Sequence, residues 1–367
     1  MILLPQYYSP IFMYSVLVLS VIQYLNLQSV SQYTLLAVKK SNVGMITFCI
    51  AFILIVGLRP VSYHFGDTIN YAHQYYGYQR GTILYDPDSS EWLFNGMMSR
   101  ASYVMSVQYF FLIIEFFYIV PMFWACMRLV SKNGSIAMLF CLGAFSFFSY
   151  GVNGIRNGMA CSLILLALSF FVSETKNEKI IAGLLCFCAY NVHHSTALPI
   201  LCMVIAYFYR NTRMVMYFWL FSILLSLVAG GAIESFFSRL GFDDRLSGYI
   251  NSHQYDDSFS STGFRWDFLL YSVMPIWLGW YVIFKRNIQN RSYQILLNMY
   301  ILCNAFWVML IRASFSNRFA YLSWFMYPLV LAYPLLTLPI WKDQGKKTGM
   351  ILVGHTLFTY VMWLIRG

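Results

Sequence analysis

Apolar runs of about 17–25 residues recur from one end of this chain to the other, each separated from the next by a short polar break. A run of that length crosses a hydrocarbon core of ~30 Å as a helix. Inside lipid, backbone N–H and C=O groups must be satisfied within the protein, and that restricts such runs to helices. No polar stretch exceeds about fifty residues, too little for a separate soluble domain. The expectation is an all-α polytopic membrane protein, a single integral membrane domain over residues 1–367. Composition agrees: 10% of the residues are charged, against roughly 25% in soluble proteins. The N-terminus lacks a basic n-region and a small-residue cleavage site, so the first run is read as a retained helix rather than a signal peptide.

The pattern predicts about twelve helices, at about 8–26, 42–58, 106–128, 135–152, 156–173, 179–193, 195–209, 214–232, 266–284, 293–311, 318–340 and 348–365. The charges then sort the loops. One side receives Lys39, Lys40, Arg128, Lys132, Lys176, Lys179, Arg210, Arg213, Lys285, Arg286, Arg291, Lys342, Lys346 and Lys347, which includes every lysine. The positive-inside rule makes this side cytoplasmic and directs both termini outward. The other side carries only arginine: Arg59, Arg80, Arg100, Arg156, Arg239, Arg245, Arg265, Arg312, Arg318 and Arg366. A guanidinium presents a planar fork of donors to phosphate or carboxylate and stays charged when partly dry.

Two larger loops, at about 59–105 and 233–265, fall on the outward side. In the first, Asp67-Thr68 is placed to cap a short helix bearing Asn70, Tyr71, Gln74 and Tyr75. Asp86, Asp88 and Ser89-Ser90-Glu91 are placed to cap a second, whose apolar side is Trp92, Leu93, Met97 and Met98. Both are expected to lie as amphipathic helices at the outer interface. In the second loop, Ser258–Gly263 reads either as a substrate-gating segment or as a plain connector. Glu115, deep in the third predicted helix, should face the bundle interior with a partner.

The stretch Gly151–Pro199 concentrates the chemistry. A polar turn with Arg156 opens one apolar run, a charged patch from Glu174 to Lys179 reverses the chain, and a second run returns to His193 and His194. Such a hairpin brings Arg156 and the histidines to one end. No P-loop, H-E-x-x-H, metal-spaced Cys/His set or G-x-S-x-G elbow is present. Neighbouring histidines diverge by about 100° on a helix and chelate one metal poorly. Arginines neutralise a diphosphate leaving group, and a histidine accepts a hydroxyl proton. These parts suit metal-free transfer of a glycan from a lipid diphosphate. Nothing points to nucleic acid as a partner.

Several of these residues also form a recognisable series. Gly154-Ile-Arg156-Asn-Gly-Met-Ala160 resembles the R-Q-x-x-A signature of the EpsG-like branch of the Wzy polysaccharide (O-antigen) polymerases. Ala189…His194-Ser-Thr-Ala197-Leu198 resembles its A…H-x-S-A-L element, and the spacing to Ala197-Leu198 favours His194 over His193. Gly66-Asp67…Tyr71…Tyr75, Glu91…Phe94 and Arg318-Phe319-Ala-Tyr321 are similar to further elements in the same order. Asn157 stands where the family commonly has glutamine, and Thr196 where it has serine.

The resemblance implies a glycosyltransferase-C-like fold in the bacterial inner membrane, with the active site facing the periplasm. It implies polymerisation of repeat units carried on undecaprenyl diphosphate, with no cofactor and with a Wzz-type chain-length regulator as partner among the membrane lipids. On that footing Arg156 and Arg318 bind diphosphate, and Arg245 or Arg265 closes over it. His194 is the general base or acceptor orienter; Asp67 and Glu91 are alternatives for the base, or bind sugar beside Tyr71. A lipid-linked oligosaccharide flippase, an O-antigen ligase and a membrane O-acyltransferase are the competing readings.

Overall fold

The structure, a computed structural model, describes residues 3–239, 264–312 and 317–366. Among them the chain is helical throughout, with no β-strand. The helices are α1 Pro5–Leu27, α2 Gln32–Ala37, α3 Val43–Gly57, α4 Thr68–Arg80, α5 Trp92–Val104, α6 Val107–Leu129, α7 Gly134–Leu142, α8 Phe147–Val152, α9 Ile155–Phe171, α10 Lys176–Val192, α11 Ala197–Phe208 and α12 Thr212–Arg239. There follow α13 Trp266–Trp280, α14 Arg291–Met309, α15 Asn317–Trp324, α16 Tyr327–Thr337 and α17 Gln344–Arg366. Among the described residues six segments are long and apolar enough to cross a membrane: Pro5–Leu27, Val107–Leu129, Thr212–Ile233, Trp266–Lys285, Phe319–Thr337 and Gln344–Ile365. The protein is therefore polytopic and helical, as its apolar runs require.

Two of the twelve predicted helices are broken. The run predicted at 135–152 becomes α7 and α8. At the break, the Thr359 hydroxyl donates to the Gly143 carbonyl at 2.7 Å, so a neighbouring helix supplies the hydrogen bond that the interruption leaves open. The run predicted at 318–340 becomes α15 and α16, interrupted at Phe325-Met326 just before Pro328, which has no N–H to donate to the Trp324 carbonyl.

The chain divides into two compact units, Met1–Thr196 with Ala332–Gly367, and Ala197–Leu331. In the first, α9 is buried along nearly its whole length and runs between α6 and α10. At 17 residues it spans about 25 Å, and the polar residues gather at its two ends. Beyond its C-terminus, Arg128 pairs with Glu178 at 2.8 Å. In the neighbouring turns, the Lys40 N–H donates to the Lys132 carbonyl at 3.0 Å and Lys132 Nζ to the Ala37 carbonyl at 2.8 Å. At the N-terminal end of α9 lie Asp67, Thr68, Glu91, Arg156 and His193, joined as described below.

The two predicted loop helices are present and pack against the bundle. Helices α4 and α5 are sealed onto the bundle: Tyr75, Tyr78, Phe94 and Met98 share a core with Phe110, Phe111 and Ile114 of α6 and with Ile155 and Met159 of α9. The inward side of α5 is Phe94, Met98 and Ala101, with the predicted Leu93 and Met97 partly buried against the same core; of the predicted apolar side, Trp92 alone stands exposed. The Tyr75 hydroxyl donates to the Met105 carbonyl at 2.7 Å, fastening the two helices at their far end.

Arg59 is drawn into the interior at the N-terminal end of α9, donating to the Val152 carbonyl at 3.4 Å. It is fully buried, pairs with Glu115 at 3.4 Å and donates to the Val56 carbonyl at 2.9 Å. Its guanidinium lies over the Phe111 ring, 4.7 Å from the centroid. Glu115 thus has the interior partner its position demanded.

In the second unit, α12 and α11 pack on α14. Buried polar groups there are hydrogen-bonded in series: Trp219 Nε1 donates to Asn304 Oδ1 at 2.8 Å, and Asn304 Nδ2 to Ser323 Oγ at 3.0 Å. Trp324 Nε1 donates to Ser272 Oγ at 2.8 Å.

Candidate functional site

The residues at the N-terminal end of α9 meet on one carboxylate. Before α5, Asp86 organises a tight turn: its Oδ1 accepts from the Asp88 N–H at 2.9 Å and its carbonyl from the Ser89 hydroxyl at 2.8 Å. Glu91 then takes the cap position of α5, but its side chain does not cap the helix. It reaches across to two cations or potential cations. Oε1 lies 2.6 Å from His193 Nδ1, and Oε2 is paired with an Nη of Arg156. All three side chains are mostly buried but retain access to solvent.

Arg156 occupies the first turn of α9, where Gly154 ends the preceding corner. Gly158 permits the corner itself: a Cβ there would fall 2.7 Å from the Tyr150 carbonyl oxygen, so α8 and α9 approach too closely for any side chain. The guanidinium of Arg156 lies 5.9 Å from the centre of the Phe94 ring, against which Tyr71 packs edge-on at 5.9 Å. Arg156 Nε is buried without an acceptor among the described residues.

The two histidines separate at the end of α10. His193 closes the helix, its N–H donating to the Ala189 carbonyl at 2.9 Å, and then turns to extended backbone (φ −154°, ψ 113°). That swing directs its ring to Glu91. His194 begins a short turn, and its ring stacks on Tyr190 with centroids 4.2 Å apart. The residue joined to Arg156 through Glu91 is therefore His193, where the spacing had favoured His194.

Asp67 lies at the same end. Its N–H donates to Asn153 Oδ1 at 2.8 Å, its carboxylate accepts from Asn70 at 3.0 Å, and it does not cap α4 with its side chain. Gly66 has φ +57°, and a Cβ on it would stand 2.4 Å from Asn153 Oδ1. Next to it, the buried Thr68 hydroxyl donates to the Val152 carbonyl at 2.6 Å. The loop before α4 is thereby stitched to the corner that carries Arg156.

The remaining predicted residues belong to the second unit. Arg265 is engaged by Asp267 through two hydrogen bonds, at 2.9 and 2.6 Å, with its guanidinium over Phe268. Arg318 lies in α15, its side chain outside the described residues, and Arg245 and the Ser258–Gly263 segment lie wholly outside them.

Two residues at this end of the first unit, Asn153 and Asn191, had no signal in the sequence, and Trp92 had one only as an apolar position. Trp92 Nε1 donates to Asn191 Oδ1 at 2.6 Å, and Asn191 Nδ2 donates to the Phe187 carbonyl at 2.8 Å. Asn153 holds Asp67. Each asparagine is a common polar residue beside an apolar run, and only its partner makes it notable.

Chemically, the assembly is an ionisable carboxylate between a guanidinium and an imidazole. It can accept a proton from a hydroxyl, while the guanidinium supplies a positive charge that can attract an anion. Among the described residues no group of three or more His, Cys, Asp or Glu is arranged to hold a metal ion.

No curated protein and no solved structure matched the chain. The model of the EpsG family matches residues 45–367 of its 367. That match spans α3 to α17 and contains every residue of the cluster around Glu91, so the chain is a membrane protein belonging to the EpsG family.

Proposed function

We propose that this protein is a polysaccharide polymerase of the Wzy type, joining repeat units carried on undecaprenyl diphosphate at the periplasmic face of the bacterial inner membrane. The observation that carries the reading is Glu91 bound to both Arg156 and His193 in a chain of the EpsG family. In the proposed step, a hydroxyl of the acceptor's terminal sugar attacks the anomeric carbon of the donor. The bond from that carbon to the diphosphate oxygen breaks, and undecaprenyl diphosphate departs carrying the electron pair. Glu91 accepts the hydroxyl proton, and His193 orients the carboxylate and shares the charge. Arg156 engages the diphosphate; Arg265 is already held by Asp267. Diphosphate is a competent leaving group once neutralised, so the step calls for no cofactor. A Wzz-type regulator of chain length is the proposed partner.

The test is the surface glycan of a polymerase-null strain complemented with Glu91→Gln or Arg156→Ala. Single repeat units without a ladder are expected from both variants at normal protein levels. A full ladder from both would overturn the reading. In the deletion strain, lipid-linked units held on the cytoplasmic side would instead indicate a flippase, and loss of even the single capped unit would indicate a ligase.

A further inference from the structure

Trp92 is the residue next to Glu91, and it stands apart from the interface tryptophans expected of a membrane protein. An interfacial anchor keeps its ring in the headgroup region and offers its N–H to water or lipid. Here the indole N–H is given to the protein instead, donating to Asn191 at 2.6 Å, and Asn191 is itself fixed to the Phe187 carbonyl at 2.8 Å. The ring plane is thereby locked by two successive hydrogen bonds. Trp92 is nevertheless 36% exposed. Ordering a half-exposed side chain costs conformational entropy, which is recovered when the presented face has a ligand.

The neighbourhood identifies the class of ligand. Trp92 follows the carboxylate that joins Arg156 and His193, and it is bonded to α10 two residues before His193. An apolar, rigid ring face beside hydrogen-bonding carboxylate and imidazole groups matches a pyranose ring. Its axial C–H groups form an apolar face and its hydroxyls a polar edge. A lipid tail would use the ring but not the carboxylate; a bare diphosphate would use Arg156 but not the ring.

We infer that Trp92, held by Asn191, is the stacking platform of a sugar subsite that positions a pyranose of the lipid-linked repeat unit against Glu91. The inference rests on the polymerase reading above and assigns Trp92 a positioning role in it. Stacking of this kind contributes a factor of about 10 in affinity.

Purified protein in detergent would be titrated with two probes: undecaprenyl diphosphate carrying one repeat unit, taken from the polymerase-null host, and bare undecaprenyl diphosphate. Trp92→Leu is expected to weaken binding of the first by about 10-fold and to leave the second unchanged. Trp92→Phe should restore most of the difference, and Asn191→Ala should fall between them. Equal weakening of both probes by Trp92→Leu, or no change in either, would overturn the platform and mark Trp92 as a lipid anchor or an ordinary surface ring. Thermal unfolding of each variant guards against a folding defect, because a structural loss moves both probes together. The two readings fail differently. Wild-type protein that binds neither probe counts against the polymerase reading and, with it, the platform. Wild-type protein that binds both equally well overturns the platform alone.

Discussion

Glu91 Oε1 lies 2.6 Å from His193 Nδ1 while Oε2 of the same carboxylate is paired with Arg156. One acidic side chain at the head of α5 therefore ties together the start of α9 and the end of α10. Removing its charge should separate function from fold. Glu91→Gln preserves size but exchanges one acceptor oxygen for a donor and cannot accept the proton, and polymerisation is expected to fall about 10²-fold or more. Glu91→Asp should retain more activity. The rate of ladder formation in membranes, normalised to protein level, is the measurement; activity of Glu91→Gln near that of wild type would exclude Glu91 as the base.

The histidines give a sharper contrast. His193→Ala is expected to reduce polymerisation about 10²-fold, whereas His194→Ala, which removes a ring stacked on Tyr190, should reduce it only a few-fold. The reverse order would favour the residue chosen by spacing over the one chosen by geometry.

The buried Arg59–Glu115 pair should dominate the stability of the first unit. Truncating one partner leaves an uncompensated charge, at a cost of about 3–5 kcal/mol. The doubly apolar Arg59→Met, Glu115→Leu protein should recover much of that loss. Detergent-phase thermal unfolding of the two single variants and the double variant checks this. A double variant no more stable than either single one would mean that the hydrogen bonds of Arg59, rather than its charge, hold α3 in place.

Gly66→Ala combines two penalties, a left-handed backbone and a Cβ 2.4 Å from Asn153 Oδ1. A loss of roughly 1–2 kcal/mol from the backbone alone is expected, with the steric part relieved in the Gly66→Ala, Asn153→Ala double variant. Equal unfolding temperatures for the single and double variants would show that the loop shifts to avoid Asn153.

Sidedness can be read chemically. In a cysteine-free background, Tyr63→Cys, near the Glu91 end of α9, should react with a membrane-impermeant maleimide in intact spheroplasts. Ser131→Cys, at the opposite end, should react only after permeabilisation. Labelling in the opposite order would invert the proposed orientation.

Much of this was legible in the sequence for local reasons. Hydrophobic runs, turn residues and prolines act over a few residues, so the predicted helices at 42–58 and 106–128 fall within a residue of Val43–Gly57 and Val107–Leu129. The break at Gly143–Ser146 was not legible, because it depends on Thr359, a residue of another helix. That Arg59 is buried rather than solvent-facing was not legible either, because its partner, Glu115, lies 56 residues away.

By itself the sequence determined the helical membrane class, the separation of lysine-bearing from arginine-only turns, and the hairpin that returns the chain toward Arg156. Each follows from composition or periodicity along the chain. Tertiary structure alone decided which side chains meet. Glu91 and His193 are 102 positions apart, and the choice between His193 and His194 turns on a backbone swing at the end of α10. No spacing rule encodes that swing. It is set by how α5, α9 and α10 pack, and that packing makes a single carboxylate the shared partner of Arg156 and His193.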